Sequence, residues 1–154
     1  LRGRTRIVLA SALLVLGAWL GSALGPHVVK PLESLAQTAP QAAAWQPWSS
    51  QRVAELTQSG QPVFVDFTAA WCVTCQYNKK TTLANKDVLA DLDAKKVVLL
   101  RADWTRRDPA ITAALQQLGR NGVPVYVFYK AGNTPVVLSE ILSVDEVRAV
   151  LARL

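Results

Sequence analysis

The sequence predicts an α/β domain built on one mixed sheet with helices on both faces. Three observations lead there. Short, mostly apolar runs at Pro62–Phe67, Val97–Leu100 and Val125–Tyr129 have the length and composition of buried strands. Segments with helix start and stop signals separate them. Finally, Ala131-Gly132-Asn133 between Val125–Tyr129 and Val136–Leu138 marks a hairpin, which adds antiparallel pairing to the sheet.

Taken in order, Ser49 or Ser50 caps a helix through Gln58, which Gly60 ends. After the first strand a helix starts at about Cys72, and Asn85 caps another over Lys86–Lys95. Beyond the Val97–Leu100 strand, Asp108 caps a helix with Pro109 at its first position, and Gly119 ends it. Ser143 and Glu146 form a capping box for the last helix, whose Val147, Val150, Leu151 and Leu154 share one face. The predicted order is α-β-α-(α)-β-α-β-β-α, with room in 154 residues for one such core.

The amino-terminal part is different in kind. Ile7–Leu24 runs 18 residues without a charge, behind Arg2, Arg4 and Arg6. As a helix it covers about 27 Å, close to the ~30 Å hydrocarbon core of a bilayer. Residues 1–25 are therefore expected to form a transmembrane helix, with a signal peptide cut near Gly21-Ser22-Ala23 as the alternative. Either way the arginines stay in the cytoplasm, and the rest is delivered to the far side. The expected location is the bacterial inner membrane, with the folded domain in the periplasm. The chain starts on Leu, as a processed form or a piece of a longer protein would.

Residues 26–48, rich in Pro and Ala, read as a flexible tether, and residues 49–154 as the folded domain. Half of the net charge of +6 falls in residues 1–44, where Arg2, Arg4, Arg6 and Lys30 face only Glu33. The rest is interspersed along the domain, which argues against a nucleic-acid partner.

The only two cysteines, Cys72 and Cys75, sit where a strand gives way to a helix. At a helix N-terminus the unpaired N–H groups and the macrodipole stabilise a thiolate, so Cys72 is read as the nucleophile and Cys75 as the resolving thiol. Two other readings compete. A structural crosslink gains little by closing so short a loop. A metal site needs more ligands than two thiolates, and the sole histidine, His27, lies by the membrane segment. No metal and no cofactor are expected.

The run VFVDFTAAWCVTC, with Gly122-Val123-Pro124 farther on, resembles the thioredoxin superfamily. Within it, the chain is similar from Trp45 to Leu154 to the C-terminal thioredoxin-like domain of DsbD-type thiol:disulfide interchange proteins. The resemblance implies a thioredoxin fold preceded by a membrane helix. It makes Pro124 the cis-proline opposite the cysteines and Val123 a backbone site for an extended substrate segment. Asp66 becomes the buried carboxylate that moves the inner thiol's proton, its pKa raised by burial. Trp71 shapes the contact surface. Lys79 departs from the family, where many relatives have glutamate; an ammonium there lowers the pKa of a thiol it approaches. Val73-Thr74 between the cysteines departs from the Gly-Pro of thioredoxin itself.

The resemblance further implies a protein-disulfide reductase relaying electrons from a membrane domain or protein with its own cysteine pair to oxidised periplasmic proteins. Two alternatives stay open: an anchored thioredoxin-like reductase of cytochrome c maturation, and a non-redox binding module on the same fold. Trp104 carries no role beyond packing.

Overall fold

In a computed structural model, residues 45–154 are described. The expected membrane helix and nearly all of the tether lie outside them. Among the described residues no helix is long and apolar enough to cross a membrane.

The order is β1 (Gln46–Pro47), α1 (Ser50–Gln58), β2 (Val63–Thr68), α2 (Val73–Lys80), a 3₁₀ turn (Thr82–Ala84), α3 (Lys86–Ala94), β3 (Val98–Asp103), α4 (Pro109–Gln117), β4 (Val125–Tyr129), β5 (Val136–Val137) and α5 (Val144–Leu151). The strands form one sheet in the order β1-β3-β2-β4-β5. The helical crossovers leave β1, β3 and β2 parallel, while β4 runs antiparallel to both β2 and β5. This mixed α/β architecture is the predicted fold class.

Strand alternation distributes the core. Phe64, Leu99, Tyr126 and Phe128 meet Leu83, Val88, Leu92, Val147 and Leu151 on one face. Val65, Phe67, Leu100, Val125 and Val127 meet Leu56, Trp104, Ile111 and Leu115 on the other. β2 is buried along its whole length, so burial, not alternation of polarity, shaped its sequence. α5 shows why tertiary packing matters here. Eight residues do not hold a helix in water, but Val147, Val150 and Leu151 are buried, each worth roughly 1.5–3 kcal/mol.

Three details depart from the sequence reading. Trp45–Trp48, placed at the end of the tether, instead join the domain. Gln46 and Pro47 pair in register with Leu100 and Arg101, and the rings of Trp45 and Trp48 sit 6.0 and 5.7 Å from Phe64 and Phe67. Only two residues pair, too few for a periodic signal, and a proline-rich neighbourhood hides them. The 3₁₀ turn after α2 was also not expected. The capping box is half formed: the Glu146 N–H donates to Ser143 Oγ at 3.1 Å, but the Glu146 carboxylate accepts from Ser139 instead of Ser143. The remaining caps match. Ser49, Asn85 and Asp108 each accept from the first turn of their helices, and Gly60 and Gly119 take φ of +82° and +70° just past α1 and α4.

Candidate active site

β2 is central, so its carboxyl end delivers the chain to the middle of the sheet edge, and Ala69–Trp71 turn it into α2. Cys72 caps that helix. Its Sγ accepts the Cys75 backbone N–H at 3.1 Å, satisfying one of the donors that a helix start leaves free. Cys72 and Cys75 are joined as a disulfide. Cys75 is fully buried, and Cys72 keeps 7% of its surface. Ala69 and Val123 close around the pair. The Val123–Pro124 peptide is cis, as the resemblance implied, and Pro124 is buried. Trp71 and Val73, on either side of Cys72, are exposed.

The strand that leads into the cysteine turn carries part of a charged cluster. Asp66 is fully buried, and its Oδ2 accepts from Arg101 Nε at 3.1 Å, directly across from it on β3. Among the described residues its Oδ1 has no hydrogen-bond partner, nor does Thr68 Oγ1 two residues on. Burial pushes the Asp66 carboxyl above its usual range, against the opposing pull of Arg101 and then Lys79. Lys79 is half-buried and lies within electrostatic reach of Asp66, Arg101 and Asp103. Burial lowers its pKa, with Asp66 acting in the opposite direction. Lys79 therefore belongs to the carboxylate cluster.

Sequence reasoning missed three contributors. Arg101, the partner of Asp66, had no motif to mark it. Asn78, one turn into α2 from Cys75, is fully buried and donates to Tyr126 Oη at 2.9 Å and the Glu140 carbonyl at 2.8 Å, while Leu142 N–H donates to its Oδ1. The loop after β3 holds the turn before Cys72: Thr105 Oγ1 accepts from Ala70 N–H at 2.9 Å, and the Thr105 carbonyl accepts from Trp71 Nε1 at 3.2 Å. Thr105 in turn donates to Asp103, whose pKa these bonds lower. Trp104 is packed in the core, with its Nε1 donating to Thr112, its ring 6.1 Å from Trp71 and Arg107 lying over both rings. The run Asp103-Trp104-Thr105 was the available signal, noticed without a role.

Among the described residues no three His, Cys, Asp or Glu side chains come together as a metal site. What the arrangement offers is a sulfur pair at a helix start, a buried carboxyl and an apolar rim.

Comparison with known proteins follows the same lines. The family described as Thioredoxin-like matches residues 44–131. The thiol:disulfide interchange protein DsbD of Klebsiella pneumoniae is 40% identical over 84 residues, covering 51% of this chain and 14% of that protein. DsbD 1 of Pseudomonas aeruginosa is 30% identical over 128 residues, covering 75% of this chain and 21% of that protein. The chain thus spans about a fifth or less of those relatives' length. Among solved structures, the oxidised C-terminal domain of Neisseria meningitidis DsbD superposes with a TM-score of 0.58 at 21% identity, covering 71% of this chain and 98% of that one. A thioredoxin from Thermus thermophilus gives 0.59 at 20% identity, covering 73% and 87%. At such identities the structures speak for the fold alone.

Proposed function

The chain belongs to the thioredoxin-like family, as a DsbD-type domain, and from that premise we propose that it is a protein-disulfide reductase that cycles Cys72 and Cys75 between dithiol and disulfide. It would be held at the bacterial inner membrane by residues 1–25, its domain in the periplasm. There it would take electrons from a membrane partner with its own cysteine pair and pass them to oxidised periplasmic proteins. The observation that carries the reading is the sulfur pair at the start of α2, with a buried carboxyl on the neighbouring strand.

The reducing half-cycle then runs as follows. The Cys72 thiolate, stabilised by the helix start and by the Cys75 N–H, attacks one sulfur of the partner's disulfide. A new S–S bond forms, and the partner's other sulfur leaves as a thiolate and takes a proton from water. Asp66 accepts the proton of the Cys75 thiol, its Oδ1 being the atom that Arg101 leaves free. Cys75 attacks Cys72 Sγ, the second partner thiolate departs, and the disulfide seen here remains. Two electrons have passed to the partner. Trp71 and Val73 would line the contact around Cys72, and the Val123–Pro124 backbone would meet an extended partner segment.

The test is a trap. Cys75→Ser should accumulate a dithiothreitol-sensitive mixed disulfide through Cys72 when mixed with oxidised periplasmic extract. A domain that associates with the same partners after both cysteines are changed to serine would be a binding module, and the reductase reading would fail.

A further inference from the structure

We propose that Trp45 is a positioning residue for the site: its ring holds the Arg101 guanidinium against Asp66, so the seating of β1 on the sheet sets how firmly the buried carboxylate is paired. This rests on the reading that Asp66 handles the Cys75 proton.

Three neighbouring strands supply the line of contacts. Trp45, immediately before β1, lies under Arg101 of β3, whose Cζ is 4.3 Å from the ring centroid. Arg101 Nε reaches Asp66 Oδ2 of β2 at 3.1 Å. The three side chains share one sheet face, because Asp66 and Arg101 are in register and Trp45 meets Phe64, two residues before Asp66. Arg101 is the weak link. Its side chain keeps 32% of its surface while Asp66 keeps none, so on its own it would divide its time between the carboxylate and water. An indole face restricts that freedom and draws on the ring's negative quadrupole.

The restraint is also easily released. β1 pairs only Gln46 and Pro47 with β3, aided by the Trp48 N–H donating to the Arg101 carbonyl at 3.0 Å and by Arg52 donating to Gln46. A partner or a pull that draws β1 away takes Trp45 off Arg101 and off Phe64 together, so Arg101 loosens as that edge of the core opens. The other groups facing Asp66 are Lys79 of α2 and the Tyr126 hydroxyl of β4, on elements that β1 does not pair with. Trp45 acts through Arg101 alone.

The experiment follows the Asp66 carboxyl carbon by NMR through a pH titration of the oxidised full-length chain. Trp45→Leu, which keeps the apolar cover but removes the π face, should raise the midpoint by about half a pH unit. Trp45→Phe should restore most of it, and in an Arg101→Gln background Trp45→Leu should move nothing. Trp45→Met serves if Trp45→Leu fails to fold. An unchanged midpoint overturns the proposal. A downward shift does so too, since it would mean that the ring only shields Asp66 from water, as does an equal shift without Arg101. The premise is read separately, from the pH–rate profile of the reduced chain with an aromatic disulfide. If Asp66→Asn leaves that profile unchanged, the proton role fails, while the carboxyl titration still decides whether Trp45 positions the pair.

Discussion

Asn78→Ala should cost the domain about 3 kcal/mol, a large share of what holds a domain of this size together. Asn78 is fully buried and ties three elements: α2, the Tyr126 hydroxyl of β4, and the loop between β5 and α5 at Glu140 and Leu142. Truncation removes three hydrogen bonds, each worth about 1 kcal/mol net, and the larger question is what the abandoned partners do. Glu140 is exposed and its carbonyl can turn to water, which returns most of that loss. The Tyr126 hydroxyl and the Leu142 N–H lie inside the core, where an unmet polar group costs ~1–3 kcal/mol. Against this stands the desolvation of the amide that alanine no longer carries. About 3 kcal/mol remains. In urea, where m for small proteins is ~1–3 kcal/mol per molar, the midpoint should fall by roughly 1–3 M with m unchanged. Hydrogen exchange should show the Leu142 amide losing protection first. A loss below ~1 kcal/mol, or a Leu142 amide protected as before, would mean that water or a shifted loop replaces Asn78 and that the loop is not pinned through it.

Three further substitutions probe the same site. The Asp66 pKa lies above its unfolded value of ~3.9 because of burial, so the folded state binds the extra proton and stability falls as pH rises across that window. Asp66→Asn, a mimic of the protonated form, should therefore be more stable than the parent at pH 7, with the difference closing below about pH 4 in thermal melts. The same change should slow resolution of the mixed disulfide tenfold or more in stopped flow. Lys79→Glu puts a second carboxylate beside Asp66, which should raise the Asp66 pKa further and, through it, that of the reduced thiols. Thiolate absorbance against pH checks this, and a superposable curve would mean that Lys79 faces water. Thr105→Val deletes the acceptor of the Ala70 N–H and should cost about 1 kcal/mol in urea melts, while Cys72 alkylation in the reduced chain changes by several-fold as the Trp71 turn loosens.

Much of this architecture was legible because the punctuation is local. Asn85, Asp108 and Ser143 announce their helices within four residues, and β2 and β4 are mostly apolar runs whose composition marks burial. The cysteines were legible for the same reason. What escaped notice depends on contacts distant in sequence. Gln46 and Pro47 become a strand only because β3 offers a free edge 54 residues later, in the pairing of Gln46 with Leu100. Arg101 reads as an ordinary polar residue at a strand end until the register sets it across from Asp66. Asn78 looks like a solvated helix residue, and nothing within its own helix shows that Tyr126 and residues 140–142 arrive to meet it.

The polar groups on one sheet face explain how the fold tolerates a buried carboxyl. Along β2 the same face carries Phe64 and then Asp66, while β3 carries Leu99 and then Arg101, and β4 carries Tyr126 and then Phe128 in the reverse direction. One end of that face is thus wholly apolar and the other, toward the carboxyl end of β2, is where each of these strands places a group able to hydrogen-bond or bear charge. A buried ion pair contributes little to stability by itself, since desolvation offsets the attraction. The apolar half therefore has to supply the cohesion, which it does through the Phe64 and Phe128 rings, 4.5 Å apart and tilted, and the buried face of α5. Because the charged cluster is not what holds the domain together, Asp66, Arg101 and Lys79 are free to be arranged for the proton handling proposed above. It follows that neutralising the buried carboxyl itself, as in Asp66→Asn, should change pH profiles more than it changes stability. Truncations at Phe64 or Phe128 should do the reverse, at about 3–5 kcal/mol each. Parallel pH–rate and urea measurements on Asp66→Asn and Phe128→Ala would separate the two halves, and equal stability losses would refute the division.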